Sequence, residues 1–337
     1  MNLRHHLGSA RAILAARFRG RHVPLSVTMA VAGRCNYRCA YCSLWTEPVP
    51  PLPTDELLGL IDGLARAGMQ RIGFSQDEPL LRKDIGRIID HCKQRGLYVT
   101  LGSNGALVTA RLAEIRELDV LVLSLDGPRE IHDRHREPGA YERVMDALAA
   151  ARAAGLTVWI TTVLTRFNLR HIPWLLETAA RHEVRIAFQL LYHLDHEATS
   201  HPELLPDATD YQAALETVRR AQKRGAPVIN SPAQIDFLKR WPDYGDPLCS
   251  NLTPDSLALR CWGGRLFLHL EPNGDVYPCS QLVGRPLNVR THNLQAAMAN
   301  AARQACPTCC LGGDYVEYNL LFGLHPGCLW NALRVTR

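Results

Sequence analysis

Cys35, Cys39 and Cys42 stand within eight residues of one another in GRCNYRCAYCSLW (33–45), with Tyr41 just before the last of them. Thiols at this density point to metal binding or redox chemistry. Three thiolates from one loop can hold three corners of an iron–sulfur cubane and leave its fourth iron open. Catalytic metal sites keep such a position free, whereas structural sites fill all four. Zinc would require paired CxxC knuckles with a nearby fourth ligand, and none lies close to this loop. A second group of thiols comes late in the chain. Cys261 precedes, and Cys279 ends, a stretch whose Asn-Gly turn between apolar runs reads as a hairpin, and CPTCC adds Cys306, Cys309 and Cys310. Cys261, Cys279, Cys306 and Cys309 form the expected closed set, with Cys310 as the rival fourth ligand; four thiolates would also suit zinc. Cys92, alone in a helical stretch, reads as a small buried hydrophobe.

Those residues need a frame. Six β-branched runs, at 24–31, 70–75, 97–103, 119–126, 156–165 and 184–192, alternate with amphipathic stretches such as TDELLGLIDGLARAG (54–68) and AYERVMDALAAARAAG (140–155). Apolar strands separated by helices imply a parallel sheet with right-handed crossovers. Six such units make either an incomplete barrel or an open doubly wound sheet, and periodicity does not choose between them. The polar residues all gather at one end. The cysteine loop follows the first strand and Glu78 the second; Ser103 and Asn104 end the third, Ser124 and Asp126 the fourth. Asn168 follows the fifth, and Gln189 to His193 end the sixth. Parallel α/β folds place their sites at that carboxyl end. Past residue 225 a Pro/Gly-rich passage intervenes and the alternation stops, so the expected divisions are an N-terminal basic segment (1–23), an α/β domain (24–225) and a small cysteine-rich domain (226–337).

The 337 residues are 47% hydrophobic and 21% charged, a globular composition with a net charge of +5. So mild a charge excludes a nucleic-acid footprint and suits a small anion or an acidic surface. With no signal peptide and no apolar run of membrane-spanning length, the chain reads as cytoplasmic, where clustered thiols are metal or redox groups rather than disulfides.

CxxxCxYC after a first strand resembles the radical S-adenosylmethionine (SAM) superfamily. SLDGPREIHDRHREPGAYERV (124–144), EPLLRKDI (78–85) and SNG (103–105) are similar to further segments of that family. The resemblance implies a partial (β/α)6 barrel whose 4Fe–4S cluster is completed by SAM. Reductive cleavage of SAM would then give a 5′-deoxyadenosyl radical, with electrons from a donor such as flavodoxin or ferredoxin. It also implies site residues. Tyr41 matches the aromatic beside the adenine, Glu78 and Pro79 a segment at the methionyl ammonium, and Ser103, Asn104 and Ser124 polar positions near ribose and carboxylate. Asn168 and Gln189 are weaker matches. Where the family has Gly-Gly before Glu-Pro, this chain has Gln76 and Asp77; glycines allow close backbone approach. The expectation is that the backbone path survives, with Asp77 either supplying a carboxylate or facing solvent. The late cysteines resemble a twitch or SPASM extension. With Cys249 set aside, six remain there (Cys261, Cys279, Cys306, Cys309, Cys310 and Cys328), against the seven or eight that two auxiliary clusters need, so one auxiliary 4Fe–4S cluster is expected.

The substrate is less legible. MNLRHHLGSARAILAARFRGRH can form a basic amphipathic helix, and YNLLFGLHPGCLWNAL is apolar-rich. Core packing is the plain reading of both; peripheral membrane contact with a small or lipid-like substrate is the sharper one. Some 25 residues before the first strand are too few for a leader-binding domain, which sets the peptide-maturase alternative second. A non-enzymatic electron carrier is the third reading.

Overall fold

The computed structural model describes residues 3–20, 22–191, 202–245, 259–281, 284–304, 306 and 310–335. Nine strands form one sheet: β1 (Ser26–Met29), β2 (Arg71–Phe74), β3 (Tyr98–Ser103), β4 (Val120–Ser124), β5 (Val158–Leu164), β6 (Arg185–Leu190), β7 (Phe267–Leu270), β8 (Asp275–Tyr277) and β9 (Leu287–Asn288). The helices are α1 (Leu3–Arg19), α2 (Thr54–Ala67), α3 (Ile85–Gln94), α4 (Arg129–His135), α5 (Ala140–Ala153), α6 (Ile172–Arg181), α7 (Ala208–Lys223), α8 (Pro232–Lys239), α9 (Leu294–Arg303), α10 (Gly313–Phe322) and α11 (Pro326–Val335). All six expected strands and both quoted helices form within a few residues of their predicted bounds; Tyr192 and His193 lie outside the described residues.

Strand order resolves the question that periodicity left open. It runs β6-β5-β4-β3-β2-β1-β7-β8-β9, and the first six strands are parallel and strictly sequential. A doubly wound sheet reverses its order at a switch point and carries helices on both faces. Sequential right-handed crossovers instead put every helix on one face and curl the sheet around the other, which is a partial barrel. Burial follows suit. Along β3 and β6 Val99, Leu101, Ile186 and Phe188 are buried, while Thr100, Gly102, Ala187 and Gln189 alternate with them as half-exposed residues. A Cβ placed on Gly73 would lie 3.0 Å from Thr100 Oγ1, and one on Gly102 would lie 3.4 Å from Ser75 Cβ, so these small residues share the concave face. That face leaves room for a ligand. The other is a continuous apolar core in which Ile61, Leu64, Phe74, Ile88, Cys92, Leu101 and Leu123 are sealed from solvent.

The C-terminal region does not stand apart as the composition suggests. β7 pairs in parallel with β1 and then turns back antiparallel into β8, the hairpin read from Asn273-Gly274, so the main sheet continues across the boundary near residue 226. α10 closes the open side of the barrel. Its Tyr315 stacks on Phe267 of β7, with ring centroids 5.0 Å apart. Its Asp314 bonds to Gln189 of β6 and feels the charge of Arg71 on β2, so that carboxylate lies within the curve of the sheet. α1 buries Ala12, Ile13 and Ala16 against Phe267, Tyr315 and Phe322, which is the core-packing reading of that segment, and leaves Leu14 and Phe18 outside. No helix among the described residues is long and apolar enough to cross a membrane.

Candidate active site

β1 ends at Met29 and delivers the chain into the cysteine loop at the mouth of the barrel. Cys39 lies within electrostatic reach of both Cys35 and Cys42. Burial pushes the Cys35 and Cys39 thiols up to about 11, so each keeps its proton until a cationic centre replaces it. Donors already converge on the sulfurs: Tyr37 N at 3.5 Å and Asn104 Nδ2 at 3.9 Å from Cys35 Sγ, and Arg136 Nη1 at 3.9 Å from Cys39 Sγ. N–H groups aimed at sulfur stabilise thiolate and raise the potential of an iron–sulfur cluster. The donor set, its burial and its N–H partners all fit a 4Fe–4S cluster held by three cysteines.

Behind the loop lies a buried charged group. Asp126, with no exposed surface, accepts from Tyr41 Oη at 2.8 Å and from Arg136 Nε at 2.7 Å. Burial alone would lift the Asp126 pKa, but the Arg136 guanidinium beside it holds it below the usual carboxylate range. Arg136 therefore links Cys39, Tyr41 and Asp126. It is the functional residue that sequence reasoning passed over, although it lies inside the matched 124–144 segment.

The remaining candidates divide. Glu78 is fully buried and accepts from Ser103 Oγ (3.0 Å), Asn104 N (2.9 Å) and Leu80 N (3.2 Å), so it clamps the end of β2 and the turn that begins at Pro79 to the end of β3. Burial raises its pKa to about 7. Ser103 thus faces Glu78, whereas Ser124 is half-exposed at the end of β4, beside Thr161. Asn104 reaches both Asn36 Oδ1, at 2.8 Å, and Cys35. Asn168 is a brace: fully buried, it donates to the Asp126 and Val163 carbonyls and accepts from Thr165 N, which accounts for its whole amide. Gln189 faces the concave side and bonds to Asp314. Gln76 takes a left-handed backbone, at φ +79°, with its side chain exposed. The solvent-facing alternative for Asp77 is corrected: its carboxylate turns inward onto the Ala32 and Gly33 amides.

Cys261, Cys279, Cys306 and Cys310 are mutual electrostatic neighbours, with burial raising all four thiols, Cys261 to about 11 and Cys310 to about 12. Cys309 lies outside the described residues. Among the described residues, no three potential ligands stand close enough to hold a single metal ion. Cys328 belongs elsewhere, 3.1 Å from Ser231 Oγ and near Glu317.

Fold and loop define a class. The model of the radical SAM superfamily matches residues 29–179, which take in the Cys35–Cys42 loop. Among curated proteins it is 28% identical over 269 residues to an AdoMet-dependent heme synthase of Oleidesulfovibrio alaskensis, covering 76% of this chain and 69% of that one. It is 27% identical over 268 residues to a PqqA peptide cyclase of Rhodopseudomonas palustris, covering 76% and 67%. Among solved structures, SuiB of Streptococcus suis bound to its precursor peptide SuiA superposes with a TM-score of 0.67 at 17% identity, over 90% of this chain and 70% of that one. The chain is an enzyme with a parallel-sheet α/β fold, and its likeness to the radical SAM superfamily implies a 4Fe–4S cluster that works with SAM.

Proposed function

We propose that Cys35, Cys39 and Cys42 hold a 4Fe–4S cluster whose open iron takes SAM, and that the enzyme acts on a ribosomally made peptide. The observation that carries the first part is the buried three-cysteine loop with N–H donors on its sulfurs at the mouth of a parallel barrel. When bound, the cluster and SAM supply a 5′-deoxyadenosyl radical that removes hydrogen from carbon. The chain's own residues do the positioning. Tyr37 and Asn104 stabilise the Cys35 thiolate, and Arg136 does the same for Cys39 while Asp126 fixes the guanidinium. Tyr41, tied to that pair, stands beside the loop to flank an adenine. Ser124, Asp314 and Gln189 line the concave face, and α10 closes its side against water. Cys261, Cys279, Cys306 and Cys310 hold one auxiliary 4Fe–4S cluster, a reading supported by four thiols that lie close to one another. A flavodoxin or ferredoxin supplies the electron.

The peptide reading draws its support from likeness to a PqqA peptide cyclase and to a fold solved with a precursor peptide. It displaces the preference for a lipid-like substrate on the strength of those likenesses; α1 buries Ala12, Ile13 and Ala16 in the core and leaves Leu14 and Phe18 exposed. A small-molecule substrate of tetrapyrrole type is the second reading, favoured by the heme synthase likeness. The test is 5′-deoxyadenosine formation by anaerobically reconstituted enzyme, with peptides encoded beside its gene in one arm and iron porphyrins in the other. Stimulation by a peptide alone is the expected result, and stimulation by porphyrin alone contradicts it.

A further inference from the structure

We propose that Asp77 is a positioning residue that latches the root of the cysteine loop; the proposal rests on the reading that this loop holds the SAM-binding cluster. The chain turns sharply at Ala32–Arg34, just before Cys35. Gly33 is left-handed there, at φ +67°, and a Cβ on it would collide with the Val49 carbonyl. The turn points two successive amides the same way, a concavity of the kind that binds anions. Asp77 Oδ2 fills it, 2.6 Å from Ala32 N and 2.8 Å from Gly33 N. Two backbone bonds complete the grip, from Glu78 N to Arg34 O (3.2 Å) and from Val49 N to Gly33 O (2.8 Å). Asp77 therefore supplies the side-chain part of a clasp whose other bonds are backbone.

Two further features set this clasp apart from ordinary loop packing. Gln76 holds a left-handed backbone that a side chain disfavours, a strain that persists only where neighbouring contacts over-determine it. Asp77 Oδ1 is buried without a well-formed hydrogen bond of its own, and the Val31 amide also faces the carboxylate. The carboxylate is thus held out of water by successive backbone amides of one turn, a burial that costs free energy unless holding the turn repays it.

The full-length chain, reconstituted anaerobically, is compared as wild type, Asp77→Ala, Asp77→Asn and Gln76→Gly. The readouts are the rate at which an iron chelator bleaches the Cys35–Cys42 cluster, SAM affinity by equilibrium binding, and melting temperature. Asp77→Ala should bleach about tenfold faster and bind SAM about tenfold more weakly, the scale of a lost charge-assisted hydrogen bond. Asp77→Asn, which keeps an acceptor oxygen, should recover most of both, and Gln76→Gly should match wild type. Wild-type behaviour of a folded Asp77→Ala overturns the latch. So does an Asp77→Asn as impaired as the alanine variant, because the acceptor would then not be what holds the turn. A wild-type chain whose cluster ignores SAM would instead remove the reading underneath.

Discussion

The molecule carries two sets of cysteines, and they are built on different plans. Cys35, Cys39 and Cys42 come from one continuous loop, and charged or polar groups stand against them: Arg136, Asp126, Tyr41 and Asn104. Cys261, Cys279 and Cys310 come from separate segments and sit in an apolar shell with Trp262, Leu266, Phe267 and Tyr315. The first set is furnished to meet a charged partner that comes and goes. The second has apolar neighbours in place of charged ones, with Cys279 buried and Cys261, Cys306 and Cys310 partly so, a setting that would suit a group held permanently.

Removing the first set gives the largest effect. Cys35, Cys39 and Cys42 all replaced by Ala should abolish SAM cleavage and leave about four iron atoms per chain, those of one remaining cubane. Near-zero iron in a folded triple variant would make the second set a zinc or purely structural site. Next comes Cys310→Ala, which should remove the auxiliary iron while SAM still perturbs the first cluster; retention of that iron, and its loss in Cys309→Ala, would reverse the assignment of the fourth ligand.

Arg136→Gln tests the polar side of the comparison. It strands Asp126 as a buried, unpaired carboxylate and should cost about 3 kcal/mol in urea unfolding. It should also weaken SAM binding, whereas auxiliary iron stays unchanged. A variant as stable as wild type would show that the Asp126–Arg136 pair is not held as described.

The smallest effect concerns Glu78. Its folded pKa of about 7 lies above the ordinary carboxylate value, so the native state binds the proton more tightly than the unfolded chain. The stability this contributes is full below the unfolded value and fades as pH rises toward 7. Glu78→Ala should therefore lower the melting temperature of the cluster-free protein more at pH 5 than at pH 8. The opposite order would mean that the clamp works as a carboxylate.

How much of this the sequence discloses depends on sequence distance. The six parallel strands, α2, α5 and the cysteine loop follow from short-range pattern, and they form where the pattern puts them. The pairing of β7 with β1 joins residues about 240 positions apart, and nothing local announces it. Arg136 is one of many arginines until the fold brings it 3.9 Å from Cys39 Sγ. Asp77 is legible as a departure from glycine, yet its role needs the amides of a turn 44 residues earlier. The auxiliary thiols are visible as a group, but which four converge is a tertiary fact.

The central claim is that the Cys35–Cys42 loop holds a cluster with an iron left for SAM. Its most direct test is electron paramagnetic resonance of the reduced, anaerobically reconstituted protein with the auxiliary ligands Cys261, Cys279 and Cys310 replaced by Ala, so that one cluster contributes. The account predicts a 4Fe–4S signal that changes shape when SAM is added, with 5′-deoxyadenosine and methionine accumulating under reductant. A signal indifferent to SAM, with no cleavage products, would contradict it.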